Sequence, residues 1–136
     1  MDLVKSMMIA ASGLKAQTGR MRVIAENLAN SNSVARTPGG DPYQRRIPTM
    51  VSQFDRELGA WTVRSGKPVA DRSDFTLRHI PGHPAADEKG YVRAPNVNTL
   101  IETTDMREAQ RSYQANLNVI TAARRMMQRT IEILRV

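Results

Sequence analysis

The stretch LVKSMMIAASGLKAQTGRMRVIAENLAN, residues 3–30, decides the fold. It contains no proline. Its positions Leu3, Met7, Ala10, Leu14, Met21, Ile24 and Leu28 recur at alternating steps of four and three, with Gln17 the one polar member. A 3.5-residue repeat keeps one stripe of a helix turned toward a partner helix, so the spacing predicts one half of a helical pair. A second, looser apolar set lies off that stripe: Val4, Met8 and Ala11, with Ile9, Ala16 and Val23 further round. A bare two-helix hairpin would leave this set in water, so additional neighbours are expected to cover it.

The far end mirrors the first. Residues 99–136 hold neither Pro nor Gly, and Met106, Ala109, Tyr113, Ile120, Ala123, Met127 and Leu134 continue the alternation, with Asn116 and Thr130 as its polar members. Leu117 and Ile131, beside those two, widen the stripe. Thr99-Leu100-Ile101-Glu102 has the spacing of a capping box, in which Thr and Glu side chains satisfy free amides at a helix start. Between the helices, residues 31–98 hold all seven Pro and six of the eight Gly. Short strands are predicted over 44–54, 60–63, 67–70, 75–80 and 91–93, separated by turn signals at Thr37-Pro38-Gly39-Gly40-Asp41-Pro42, Ser65-Gly66 and Pro81-Gly82-His83-Pro84. Pro48 cannot donate to a ladder, so the first strand must be an edge or break there. The predicted fold class is therefore α+β, with N- and C-terminal helices pairing as an antiparallel coiled coil and a small β-rich central segment. The expected divisions are a helix over 1–30, a linker and β-rich segment over 31–98, and a helix over 99–136.

Composition narrows the function. The net charge of +7 comes from sixteen Arg and four Lys against thirteen acids, and the excess is spread as +2, +3 and +2 over the three segments. Nucleic-acid binders gather their charge on one face or tail. Arg124, Arg125 and Arg129 form the densest basic patch, with no aromatic side chain near them in sequence to stack on bases. A basic helical module for nucleic acid or an anionic membrane is the alternative reading, and solvated faces and interfacial ion pairs are the preferred one. The absence of Cys excludes disulfides, thiolate zinc sites and Cys nucleophiles. No apolar run approaches the about 20 residues that span a bilayer. The run Met7–Ala11 after Lys5 is too short for a cleaved signal and is broken by Ser12-Gly13, so a chain that leaves the cytoplasm must do so by a route that spares the N-terminus.

Three patterns invite a catalytic or metal reading. Ser12-Gly13-Leu14-Lys15 has the Ser-x-x-Lys spacing that lets Lys activate Ser one turn away, but the Ser-Asp-Asn and Lys-Thr-Gly elements that complete such sites are missing. His79 and His83, with Asp87 and Glu88 after them, have the ligand types of a zinc site. His83 is flanked by Pro with no helical face to organise ligands, so turn hydrogen bonding is preferred. Asp71 and Asp74 pair carboxylates without a base or nucleophile. No catalytic residue, metal, cofactor or small-molecule substrate is expected, and the chain is read as no enzyme.

The runs Ala10-Ala11-Ser12-Gly13-Leu14 and Met21-Arg22-Val23-Ile24-Ala25-Glu26-Asn27-Leu28-Ala29-Asn30, followed by Thr37-Pro38-Gly39, resemble the N-terminal signature of the bacterial flagellar rod and hook axial protein family. The blocks Pro81-Gly82-His83-Pro84, Asp87-Glu88-Lys89-Gly90-Tyr91-Val92, Pro95-Asn96-Val97-Asn98 and Tyr113-Gln114-Ala115-Asn116 are similar to the proximal rod members of that family. The resemblance implies a structural subunit of the basal-body rod, exported unfolded by the flagellar type III apparatus without a cleaved signal. It implies polymerisation in the periplasm, through the terminal helices, into a tubular drive shaft that transmits torque and encloses the export channel. The implied partners are other copies, other rod subunits, the export apparatus and the rotor ring at the rod base, with no nucleic acid. The two stripes, widened by Leu117 and Ile131, are then the expected assembly interface. The isolated chain is expected to be poorly ordered at both ends, because ordering entropy is not offset until neighbours bury the stripes.

Overall fold

The structure, a computed structural model, describes residues 2–135. The outermost positions of the expected terminal segments, 1 and 136, lie outside the described residues. Helix α1 spans Leu3–Ala29, and six short strands follow: β1 (Arg46–Ile47), β2 (Met50–Asp55), β3 (Ala60–Ser65), β4 (Val69–Ala70), β5 (Thr76–His79) and β6 (Tyr91–Ala94). Helix α2 spans Thr99–Ile133. The terminal helices pack against each other around a small β segment, so the α+β reading holds.

The strands form three separate antiparallel ribbons, β1–β4, β2–β3 and β5–β6. Pro48 divides what reads in sequence as one strand over 44–54: β1 ends before it, β2 begins after it, and the two join different ribbons. The β2–β3 hairpin is regular, with Phe54 opposite Trp61 and Ser52 opposite Val63. Asp55 Oδ1 accepts from the Glu57 and Leu58 amides at 3.0 and 3.1 Å, and Gly59 takes a positive φ of 58° to close its loop. The Thr37-Pro38-Gly39-Gly40 signal forms a turn in which the Gly40 amide donates to the Thr37 carbonyl at 3.0 Å. Gly39, at φ 73°, occupies the left-handed position that a type II turn requires after Pro.

Helix α1 is capped by Asp2, whose Oδ1 accepts from the Val4 and Lys5 amides. Just past its last residue, Asn30 Nδ2 donates to the Glu26 carbonyl at 2.9 Å while Asn30 Oδ1 accepts from Ser33 Oγ. The start of α2 corrects the capping-box expectation. Asn98, not Thr99, caps it, accepting from the Leu100 amide at 3.0 Å. Glu102 turns inward and is wholly buried. A Thr-to-Glu step of three fits a capping box, but a buried cation partner for Glu102 outweighs an exposed amide.

The chain divides into two units, one of residues 1–21, 49–67 and 107–136 and the other of 22–48 and 68–106. In the first, Gly13 of α1 meets Asn116 of α2, and Leu3 and Met126 line one notch. In the second, Asn27 of α1 meets Glu102 of α2. In the first unit the two pairs, Leu3 with Met126 and Gly13 with Asn116, show the helices running antiparallel. The buried apolar side chains are mostly alanines, with Ile24 and Val92 the bulky ones fully enclosed. Linker residue Ala35 joins Ala85 and Val92 in a small cluster, and its amide donates to the Arg93 carbonyl at 3.2 Å.

Candidate assembly interface

The predicted stripes lie where the helices meet. In the first unit Ala10, Ala109 and Ala123 are buried, and Leu3, Met7, Leu14, Met21, Tyr113, Ile120 and Met127 are half-buried. In the second unit Ile24 is buried, while Leu28 and Met106 are half-buried. Leu117, Ile131 and Leu134 are exposed. Small residues at the contact let the helix backbones come close. A Cβ added to Gly13 would stand 2.8 Å from Asn116 Oδ1, so Gly13 is the hole that receives this polar knob.

The second unit is built on a buried polar joint that the sequence pattern did not reveal. Asn27, fully buried, uses its whole amide. Its Nδ2 donates to the Arg46 carbonyl at 2.8 Å and to Glu102 Oε2 at 3.1 Å, while its Oδ1 accepts from the Arg46 amide and the Tyr43 hydroxyl, both at 2.9 Å. Arg45 bridges two acids: its Nε donates to Glu102 Oε1 at 2.6 Å and its Nη1 to Asp71 Oδ2 at 3.2 Å. Asn96 accepts from the Arg45 amide at 2.8 Å and donates to the Asp71 and Ser73 carbonyls at 3.1 Å. One set of hydrogen bonds therefore ties α1, the segment before β1, the 71–73 turn and α2.

The charges in the joint stabilise one another. Burial works against the Arg45 cation, but Glu102 and then Asp71 outweigh it and raise its pKa. Asp71 is held below the usual carboxylate range, first by the Ser73 amide, then by the Ser73 hydroxyl, with Arg45 adding to both. Burial pushes the Tyr43 hydroxyl up, which keeps it a neutral donor to Asn27. In the sequence Asn27 and Asn96 stand only as letters of recurring motifs, because the partners that enclose them are distant along the chain.

In the first unit the β2–β3 hairpin lies along α1. Lys5 Nζ donates to the Gly59 carbonyl at 2.8 Å, the Val63 amide donates to Ser12 Oγ at 3.3 Å, and Gly19 meets Ser65. A Cβ on Gly19 would stand 2.7 Å from Ser65 Cβ, so only glycine admits the strand this closely. The expectation that other molecules cover the whole second apolar set of α1 is corrected in part. Ala16, between Ser12 and Gly19, is 1% exposed, and Val23 is also buried within the chain. Val4, Met8 and Ala11 remain exposed, as does Ile9.

The remaining motifs take structural roles. The Ser12 hydroxyl donates to the Ile9 carbonyl at 2.7 Å, so its proton is directed away from Lys15. His83 Nδ1 accepts from the Ala85 amide at 3.1 Å, a turn contact, and His79 packs against Tyr91 with ring centroids 5.0 Å apart. Asp71 belongs to the joint, and Asp74 is exposed. Among the described residues no group of three or more ligand-type side chains could hold a metal, and no helix is long and apolar enough to cross a membrane.

Two long helices held by a polar joint and leaving their outer apolar faces open can be compared with known proteins. A family model described as "Flagella basal body rod protein" matches residues 7–36, and one described as "Flagellar basal body rod FlgEFG protein C-terminal" matches 88–133. The chain is 49% identical over 127 residues to the flagellar basal-body rod protein FlgC of Agrobacterium fabrum, covering 93% of this chain and 91% of the relative. It is 39% identical over 135 residues to FlgC of Escherichia coli O6:H1, covering 98% of both, and 36% identical over 132 residues to FlgC of Aquifex aeolicus, covering 97% of both. The chain belongs to the FlgC family of flagellar basal-body rod proteins. It is a structural subunit of the rod, located at the flagellar basal body, in an assembly with its own kind and other rod components. In this rod subunit the matched spans contain Asn27 and Glu102, the two sides of the joint that connect the helices.

Proposed function

We propose that this rod subunit is a non-catalytic building block that polymerises through its terminal helices into a tubular drive shaft. The shaft transmits torque and encloses the export channel. The carrying observation is the pair of long antiparallel helices whose outer faces leave Val4, Met8, Ile9, Leu117, Val119 and Met126 exposed. Apolar area left in water on both helices of one pair is stabilised when further copies cover it. The buried core supports the same reading, because an alanine-dominated core buries little apolar surface per residue and leaves stability to be gained from neighbours.

In this reading the inner stripes, from Leu3 to Leu28 on α1 and from Met106 to Ala123 on α2, set the register of the pair. Their exposed margins, Leu117, Ile131 and Leu134, join the outer residues in meeting other copies. The segments 1–30 and 99–136 are the assembly arms, and 31–98 is the body that distinguishes this subunit from others. The chain reaches the periplasm through the flagellar export apparatus with its N-terminus retained, and it stands on the rotor ring at the rod base. The test is complementation of a strain lacking its own copy. Met8→Asp combined with Val4→Asp should leave a folded protein yet abolish basal-body rods and motility. Normal rods from that variant would overturn the reading.

A further inference from the structure

Two features of the unit containing residues 1–21, 49–67 and 107–136 are complementary in shape and chemistry. The first is Trp61, the only tryptophan of the chain. It projects from β3 with 65% of its surface exposed, and Phe54 meets it edge-on with ring centroids 5.5 Å apart. The paired positions Phe54–Trp61 and Ser52–Val63 put Val63 and the aromatic pair on one face of the hairpin, and all three are exposed. A two-stranded ribbon brings no second layer to cover such a face.

The second feature is a notch of about 200 Å³ where the start of α1 lies beside the end of α2. Leu3, Ser6, Val119, Ala122, Ala123 and Met126 line it, and it is sized for a side chain. Its one polar side chain, Ser6, donates its hydroxyl to the Asp2 carbonyl at 3.1 Å and keeps the capacity to accept. Hairpin and notch use different faces of α1. Lys5, Ser12 and Gly19 meet the hairpin, while Leu3 and Ser6 face α2.

We propose that Trp61 of one copy seats in the notch of the next copy, a contact that rests on the reading of the chain as a self-assembling subunit. A second copy is the occupant because knob and hole are on the same chain at two different places. Such a contact is heterologous, so it passes from copy to copy, and it builds a helical assembly of the kind a rod requires when its rotation does not close into a ring. An aromatic side chain entering an apolar pocket is a typical interface anchor. The indole N–H finds its acceptor in Ser6 Oγ, so neither polar group is left unpaired in the buried contact.

The experiment uses the purified full chain at rising concentration, with sedimentation and tryptophan emission followed together. Trp61 is the sole emitter of its kind, so its emission is expected to shift to the blue and lose quencher access in parallel with self-association. Trp61→Ala, and Ala122→Phe, which fills the notch from an exposed position off the seam, should each raise the concentration needed for assembly by about tenfold or more. Their urea midpoints should stay close to that of the parent. The chain lacks Cys, so Val63→Cys and Ala122→Cys proteins mixed under oxidation should give a disulfide-linked mixed pair in excess over either homodimer. Self-association of the parent with Trp61 still open to quencher overturns this contact and leaves the assembly reading standing. A parent that stays monomeric throughout overturns both.

Discussion

At the scale of single residues, the joint around Glu102 decides more than any apolar side chain. Glu102 is wholly buried, and Arg45 is its cation. Removing one partner of a buried pair leaves an uncompensated charge and costs about 3–5 kcal/mol, a large share of the about 5–15 kcal/mol by which domains are stable. Arg45→Met is therefore expected to lower the urea midpoint severely. Arg45→Met with Glu102→Leu should recover much of the loss, since the wholly buried charge is then gone and Asp71, which also loses Arg45, is partly exposed and keeps its bond from the Ser73 amide. A double variant no more stable than the single one would show that the geometry of the joint, and not its charge, matters. Asp71 adds a pH dependence whose sign is fixed. Its folded value lies below the ordinary 3.8, so it contributes stability above that value and loses it as pH falls through the depressed one. Asp71→Asn should lower the urea midpoint at neutral pH and flatten the acid limb below 3.8. Little of this joint was legible in the sequence. Glu102 stands three positions after Thr99 whether it caps the helix or turns inward, and only its distant partner Arg45 decides between the two.

At the scale of elements, the helices and the positions of the strands were legible, and the pairing of the strands into three ribbons was not. The three–four stripes survive because the burial of Ala10, Ile24, Ala109 and Ala123 follows the same period that the sequence carries. The hairpin has no such signature, because β2 is exposed at nearly every position and alternation marks a strand only where one face is buried. Its place against α1 is set by one glycine-sized contact at Gly19, the Ser12 hydroxyl and the Lys5 ammonium. Gly19→Ala provides the sharper test. Alanine in a helix interior is favoured over glycine by about 1 kcal/mol, so an unobstructed site would gain stability. A Cβ here would stand 2.7 Å from Ser65 Cβ, on a strand that cannot yield as a flexible side chain does. Gly19→Ala should therefore destabilise the chain and weaken hydrogen-exchange protection across 60–65, and Ser65→Gly in the same chain should reverse both. Gly13→Ala should be milder, because the atoms it meets are the movable amide end of Asn116.

At the scale of the whole molecule, α1 and α2 differ in length, and the difference falls at one end. Leu3 opens α1, and it shares the notch with Met126 of α2. Helix α2 continues to Ile133, so residues 127–133 run past the start of α1 by about 10 Å at 1.5 Å per residue. Ile131 and Ile133 on this overhang are 61% and 74% exposed. A short stretch of helix without a packed partner is marginal on its own, since helical stability in proteins comes mainly from tertiary packing. The expectation of weak order at both ends therefore becomes asymmetric. Amides across 10–24, backed by α2 and in part by the hairpin, should exchange slowly in the monomer, and those across 127–133 should exchange quickly. In assembled rods the second group should slow to match the first, because neighbouring copies then supply what α1 is too short to provide. Strong protection of 127–133 in dilute monomer would mean that the overhang needs no neighbour, and its exposed isoleucines would then need a different explanation.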